Sequence, residues 1–224
     1  MVELIKHLID LFLHIDRHLQ DVISQYGVWT YALLFVVIFA ETGLVVTPFL
    51  PGDSLLFAAG ALSVGSALNV HVLVLLLAAA AVLGNIVNYA IGSFLGPKVF
   101  TREDSWLLRK KHLERAHAFF EKYGGRSIIL TRFMPIVRTF VPFVAGVGRM
   151  PYHRFFIFNL VGGCAWIAAL TYLGYFFGGT EIVKRNFSFV ILAIIVISLL
   201  PMAIELLRAA LQSRRDGFPP TAAR

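Results

Sequence analysis

Four ionisable side chains lie within apolar sequence: Glu41, Asp53, Arg132 and Arg138. The acids sit in ETGLVVTPFLPGDSLLFAAG (Glu41 to Gly60) and the arginines in TRFMPIVRTFVPFVAG (Thr131 to Gly146). Arginine stays charged at physiological pH, and its planar fork of donors matches a phosphate or a carboxylate. A carboxylate in such surroundings is suited to proton exchange, because burial and a neighbouring guanidinium act on its charged form in opposite senses. The pattern fits an anion site built on Arg132 and Arg138, with Glu41 and Asp53 as counterions and proton-coupling groups. Charge inside a membrane is costly and usually functional. Two acid–arginine pairs that merely pin segments together are the structural alternative, and they stabilise poorly compared with apolar packing.

The chain must break helix to aim these residues. Pro48, Pro51, Gly52 and Gly60 punctuate residues 47–65, and Pro135, Pro142 and Gly146 punctuate residues 127–150. Broken helix at membrane depth is tolerated only where protein or a wet cavity satisfies the freed backbone. Both stretches read as re-entrant hairpins. A break at Pro135 lets Arg132 and Arg138 converge on one point, and free N–H groups at the helix ends would add to an anion site.

Composition sets the environment. Of 224 residues, 58% are hydrophobic and 15% charged, and the mean hydropathy is +0.77; a soluble domain carries about 25% charged residues. The expected fold is an all-α polytopic membrane protein forming a single domain over residues 1–224. It would have about four transmembrane helices, two opposed re-entrant hairpins and amphipathic interfacial helices. The spans are Val28–Val46, Val72–Leu95, Phe155–Phe177 and Phe187–Leu207. Residues 1–25 place Ile5, Leu8, Phe12, Ile15 and Leu19 on one helical face and charges on the other, as an interfacial helix does. Residues 98–126 hold eight Lys/Arg and four Asp/Glu and read as a basic cytoplasmic helix, and residues 208–224 as a cytoplasmic tail.

With both broken segments as hairpins, the basic segment and the arginine-rich tail share one side, and the uncharged loop Gly65 to Asn69 takes the other. Both termini are then cytoplasmic. The loop Gly178 to Asn186, with Lys184 and Arg185, fits this less well. A weak internal repeat supports the two hairpins: Pro48 leads to Phe57-Ala58-Ala59-Gly60, and Pro135 to Phe143-Val144-Ala145-Gly146. Inverted repeats of broken segments form the midplane substrate site of many transporters.

Other candidates carry less chemistry. Asn85, Asn88 and Tyr89 are polar within a span and either bond between helices or line the cavity. His7, His14 and His18 near Asp10 suit a solvated helix face better than a metal site. No cleavable leader, Walker motif, dinucleotide fingerprint or nucleophile elbow is present, so no cofactor, metal or catalytic residue is assigned and an enzyme is not expected. The net charge of +7 suits lipid headgroups and cytoplasmic loops rather than nucleic acid.

The run ETGLVVTPFLPGDSLLFAAGAL resembles the first signature of the DedA family, also called the VTT or SNARE-associated domain, and YGGRSIILTRFMPIVRTFVPFVAG resembles its second. The resemblance implies a bacterial cytoplasmic (inner) membrane protein with two opposed hairpins. It implies translocation of a lipid phosphate carrier, notably undecaprenyl phosphate, and a link to proton-motive-force homeostasis. It places the family's functional acids on Glu41 and Asp53 and its arginines on Arg132 and Arg138. The family's usual second-span pattern, G-D-x-x-x-Y-x-x-G-R, is altered here. Asn85 and Ser93 replace the Asp and the Arg, which reads as a structural pair lost as a unit and bears on proton coupling. The expected partners are membrane lipids, a polyprenyl phosphate and protons, and a homo-oligomer is compatible. A proton-coupled exporter of a small ion or cationic drug is the first alternative, and a non-transporting membrane organiser the second.

Overall fold

The computed structural model describes residues 15–44, 52–100, 128–129, 131–133, 135–187, 189–194, 196–197 and 200. Among these residues every regular element is helical. They form α1 (Ile15–Tyr26), α2 (Trp29–Gly43), α3 (Gly52–Ser63), α4 (Val70–Phe100), a 3₁₀ turn (Thr131–Phe133), α5 (Pro135–Val147), α6 (Tyr152–Gly178) and α7 (Glu181–Arg185). Pro48, Pro51, most of the basic segment 98–126, the first 14 residues and the tail 208–224 lie outside the described residues.

Among the described residues two helices are long and apolar enough to cross a membrane, Val70–Leu95 and Tyr152–Gly178. They contain the expected spans Val72–Leu95 and Phe155–Phe177. The expected first span, Val28–Val46, is shorter as a helix. α2 has 15 residues and gives way to extended backbone at Leu44, a length of about 22 Å against a hydrocarbon core of about 30 Å. Glu41 therefore lies in the last turn of α2. Leu75, Val161, Phe176 and Phe189 are exposed on the helices, as lipid-facing side chains of a membrane protein are.

The breaks fall at particular residues. α5 starts at Pro135, where a fixed φ and a missing N–H suit the first helical position. This separates Arg132, in the 3₁₀ turn, from Arg138, at the start of α5. α3 starts at Gly52 and carries Asp53 in its first turn, the favoured end of the helix for an acid. Gly60, Pro142 and Gly146, expected as punctuation of hairpins, instead lie inside continuous helices. Pro142 is accommodated within α5 at the loss of one helical hydrogen bond.

Gly60 and Gly146 serve close packing. A Cβ on Gly60 would run into the Thr171 carbonyl oxygen and lie 3.1 Å from Tyr175 N; across the same contact Gly174 abuts the Phe57 carbonyl. On α5, a Cβ on Gly146 would run into the Tyr89 carbonyl oxygen and lie 2.7 Å from Ser93 N, while Gly92 abuts the Phe143 carbonyl. The α3–α6 and α5–α4 contacts are thus equivalent residue for residue, and the F-x-A-G repeat in the sequence is a repeat in packing. Small residues that let backbones touch are the usual device for joining helices where lipid removes the hydrophobic drive. Leu34, Ile38, Leu56, Leu73, Leu77 and Ile167 fill the main apolar core beside these contacts.

Candidate functional site

The end of α2, the start of α3, the 3₁₀–α5 break and the middle of α6 bring the four charges together. Glu41, Arg132 and Arg138 are 0%, 3% and 7% exposed. Arg138 Nη1 donates to Asp53 Oδ1 at 2.6 Å, and its Nη2 donates to Glu41 Oε1. One guanidinium thereby latches α2 and α3 to α5. Glu41 also accepts from the Gly52 backbone N–H, at the positive end of α3. A Cβ on Gly52 would overlap the Glu41 carboxylate, so the glycine is needed for that approach. Trp166 of α6 completes the latch. Its Nε1 donates to Asp53 Oδ1 at 3.0 Å, and its ring lies 4.6 Å from Arg138 Cζ, within range of a cation–π contact.

Arg132 has different company. Its Nη2 donates to the Asn159 backbone carbonyl at 3.0 Å and to Asn159 Oδ1. Asn159 Nδ2 is fixed on the Val82 carbonyl at 3.1 Å. The Asn85 amide touches the same group. In one orientation its Nδ2 donates to Asn159 Oδ1 at 2.9 Å. Turned over, its oxygen accepts from Arg132 Nη2 at 2.7 Å and its nitrogen donates to the Thr42 carbonyl at 3.2 Å. Among the described residues no carboxylate pairs with Arg132. The structural alternative of two separate acid–arginine pairs is not what forms: both acids converge on Arg138, because α2 and α3 deliver them to the same point.

The remaining sequence candidates divide. Asn88 donates to the carbonyls of Thr42 at 3.2 Å and Thr139 at 2.8 Å, clipping α2 to α5 beside the cluster. Tyr89 points elsewhere. Its hydroxyl donates to the Met150 carbonyl at 2.6 Å and its ring stacks on Phe155 at 4.4 Å. Asn159 and Trp166 had no place in the sequence reading. With Gly162 and Gly163 they follow an i, i+3, i+4, i+7 pattern on one face of α6. The signals were a polar amide and a tryptophan deep in a span rather than at its ends, where membrane tryptophans concentrate. Among the described residues no group of three or more His, Cys, Asp or Glu is placed to hold a metal.

The chain matches the family described as VTT domain over residues 50–176. It is 52% identical to Protein DedA of Escherichia coli K12 over 209 residues, covering 92% of this chain and 95% of that protein. The chain belongs to the DedA family. It is also 47% identical over 186 residues to an uncharacterized membrane protein of Mycobacterium tuberculosis H37Rv, covering 82% of this chain and 81% of that one. Inner membrane protein YqjA of E. coli K12 is 41% identical over 155 residues, covering 68% of this chain and 69% of that one. No solved structure matches the chain. In this DedA-family protein Asn85 is buried against Arg132 while Ser93 is exposed, beside Gly146 on α5. They stand about 12 Å apart along α4, so the two neutral positions are not partners, and Asn85 belongs to the arginine site.

Proposed function

We propose that this DedA-family chain is a transporter of the cytoplasmic membrane that translocates a lipid phosphate carrier of the undecaprenyl phosphate type, coupled to protons. The observation that carries the reading is the partition of charge between the two buried arginines. Two carboxylates and Arg138 form a latch with one surplus negative charge, and Arg132 supplies one surplus positive charge. The empty cluster neutralises itself. Protonation of Glu41 or Asp53 leaves the cluster with a net positive charge, which favours entry of a phosphate headgroup. Loss of that proton restores the internal counterion and favours release. The polyprenyl tail stays in lipid throughout. No step calls for a nucleophile or general base, so the activity proposed is transport and not catalysis.

The topology that goes with this reading has four spans and two opposed re-entrant hairpins built on α3 and α5, and the equivalent glycine contacts of those helices support it. Cytoplasmic termini follow from the basic segments, and the cytoplasmic membrane accords with the name of the inner membrane relative. Proteoliposomes containing a fluorescent short-chain polyprenyl phosphate test the function. Wild-type protein should accelerate its exchange between leaflets. The Arg132→Gln/Arg138→Gln double variant should fall to the protein-free rate, and flipping at the wild-type rate by that variant would sink the proposal. The gathering of both acids at one point favours a second reading, a proton-coupled exporter of a small ion or cationic drug. Transport that survives arginine loss and stops with Glu41→Gln would select it.

A further inference from the structure

We propose that the turn between α5 and α6 is a binding surface for an anionic phospholipid of the surrounding bilayer, its headgroup held by Arg149, His153 and Arg154. The place is distinct from the buried arginines, and the inference does not depend on the transport reading. Two aromatic pairs mark where the bilayer ends. α4 and α6 run antiparallel: the rings of Tyr89 and Tyr152 lie 5.8 Å apart at one end, and those of His71 and Tyr172 lie 5.9 Å apart at the other. About 30 Å of helix separates Tyr152 from Tyr172, which is the thickness of a hydrocarbon core, and tyrosines collect at its two edges. Arg149, His153 and Arg154 flank Tyr152, and all four are exposed. Among the described residues Arg149 and Arg154 have no carboxylate partner, and α4, α5, α6 and the turn itself contain no Asp or Glu. The countercharge at this edge has to come from outside these elements.

Arg149 occupies a position made for glycine. α5 ends with Arg149 N donating to the Gly146 carbonyl at 3.1 Å and Met150 N donating to the Ala145 carbonyl at 3.0 Å, a helix ending whose left-handed residue is usually glycine. Here that residue is Arg149, with φ 53°, while the adjacent Gly148 is not left-handed. A side chain in this conformation costs stability, so the needs of the backbone do not explain the guanidinium. Tyr89, which the buried site leaves unused, fixes the turn by donating to the Met150 carbonyl at 2.6 Å. Ile157 and Val161 follow Arg154 on one face of α6, three and seven residues on, and both are exposed. Cations at the edge of the bilayer above an exposed apolar stripe match a phospholipid, headgroup and chains together; a soluble acidic protein would leave the stripe uncovered. Arginines at a bilayer surface attract anionic lipid, their forks suit a phosphate, and His153 adds a ring N–H donor.

Native mass spectrometry of the purified full-length protein in a neutral detergent measures the affinity, with phosphatidylglycerol, phosphatidylcholine and inorganic phosphate as probes. Wild type should hold phosphatidylglycerol in preference to phosphatidylcholine, and inorganic phosphate should not displace it. At about five-fold per arginine beside an anionic surface, Arg149→Gln/Arg154→Gln should weaken phosphatidylglycerol binding about 25-fold and leave phosphatidylcholine binding unchanged. Arg185→Gln removes an exposed arginine beyond the opposite end of α6 and should leave the preference intact. Arg149→Gly separates a ligand role from a structural one. It should lose about five-fold in affinity and yet, without anionic lipid, unfold no lower than wild type, because glycine suits the left-handed position. Wild-type affinity in the double variant overturns the site, and an equal loss in Arg185→Gln reduces it to unspecific attraction and overturns it too. Displacement by inorganic phosphate overturns the assignment to a lipid. A lowered unfolding temperature for Arg149→Gly in neutral detergent makes the arginine a structural element and overturns its part in the surface.

Discussion

Arg138→Met and Arg132→Met look alike on paper, two buried arginines replaced by the same apolar side chain, yet the structure gives them different costs. Arg138→Met strips the countercharge from Glu41, which is fully buried, and from Asp53, whose side chain is 13% exposed. Removing one member of a buried ion pair costs about 3–5 kcal/mol. The N–H groups of Gly52 and Trp166 still reach the two acids, which holds the loss to that range although two carboxylates are orphaned. Among the described residues Arg132→Met orphans no carboxylate. It releases the Asn159 carbonyl, and an acceptor left unsatisfied costs about 1–3 kcal/mol, partly offset because a buried charge is also removed. The expected gap is about 2–3 kcal/mol, with Arg138→Met the less stable. At about 2–4 °C per kcal/mol for a chain of this size, the unfolding temperatures should differ by about 4–12 °C. Thermal unfolding in detergent, followed by tryptophan fluorescence, measures this with a reporter in the site itself, since Trp166 contacts the Arg138 guanidinium. The Glu41→Gln/Asp53→Asn/Arg138→Met triple variant should recover most of the loss, because it leaves no buried carboxylate without its arginine. Equal unfolding temperatures for the two single variants, or a triple variant no better than Arg138→Met, would refute the assigned pairing.

Gly52→Ala puts a methyl group on the Glu41 carboxylate and should destabilise by about 1–3 kcal/mol, with leaflet exchange falling in the same proteoliposomes and helix content by circular dichroism unchanged. Trp166→Phe keeps a ring under Arg138 and removes one N–H from Asp53. A hydrogen bond to a charged group contributes about 1.5–3 kcal/mol, and chemical denaturation in mixed micelles should show a loss of that size, smaller than for Trp166→Ala. Gly60→Val and Gly146→Val should each cost stability, and by amounts within about 1 kcal/mol of each other, since both would press on a backbone carbonyl at equivalent contacts; strongly unequal shifts in unfolding temperature would argue against the equivalence.

The elements were more legible than their joins. The spans around Leu77 and Ile167 announced themselves through long apolar runs, because length and hydropathy are local properties. The four charges were legible for the same reason: an Arg or Glu in such a run stands out from its apolar neighbours and is costly to place there. Which acid meets which arginine was not, since pairing depends on where α2 ends and α3 begins, and that is set by three-dimensional packing. Gly60 and Gly146 show the same limit from the other side. Their sequence neighbourhood reads as punctuation, but a glycine inside a helix and a glycine at a turn look identical until the carbonyl of Thr171 or Tyr89 is seen against it. Asn159 and Trp166 were missed because a single polar or aromatic residue in a span is common. Only the arrival of Arg132 and Asp53 gives them meaning.

The packing repeats, and the chemistry departs from the repeat at two positions. Gly52 on α3 stands at the same sequence offset from Arg138 on α5 as Phe57 does from Phe143 and Gly60 from Gly146. Gly84 on α4 corresponds in the same way to Trp166 on α6, as Tyr89 does to Thr171 and Gly92 to Gly174. In each case one half of the repeat carries a glycine where the other carries a large side chain. The two glycines admit the last turn of α2: a Cβ on Gly52 would overlap Glu41, and one on Gly84 would overlap Thr42 Oγ1. The two large residues, Arg138 and Trp166, meet each other and close on the acids. A symmetric scaffold could not do this, because two equivalent arginines would need two equivalent pairs of acids. Divergence at these paired positions leaves Arg138 bound to both acids and Arg132, among the described residues, without a carboxylate. Exchange of an internal anion for an external one needs that inequality, which a symmetric pin would lack.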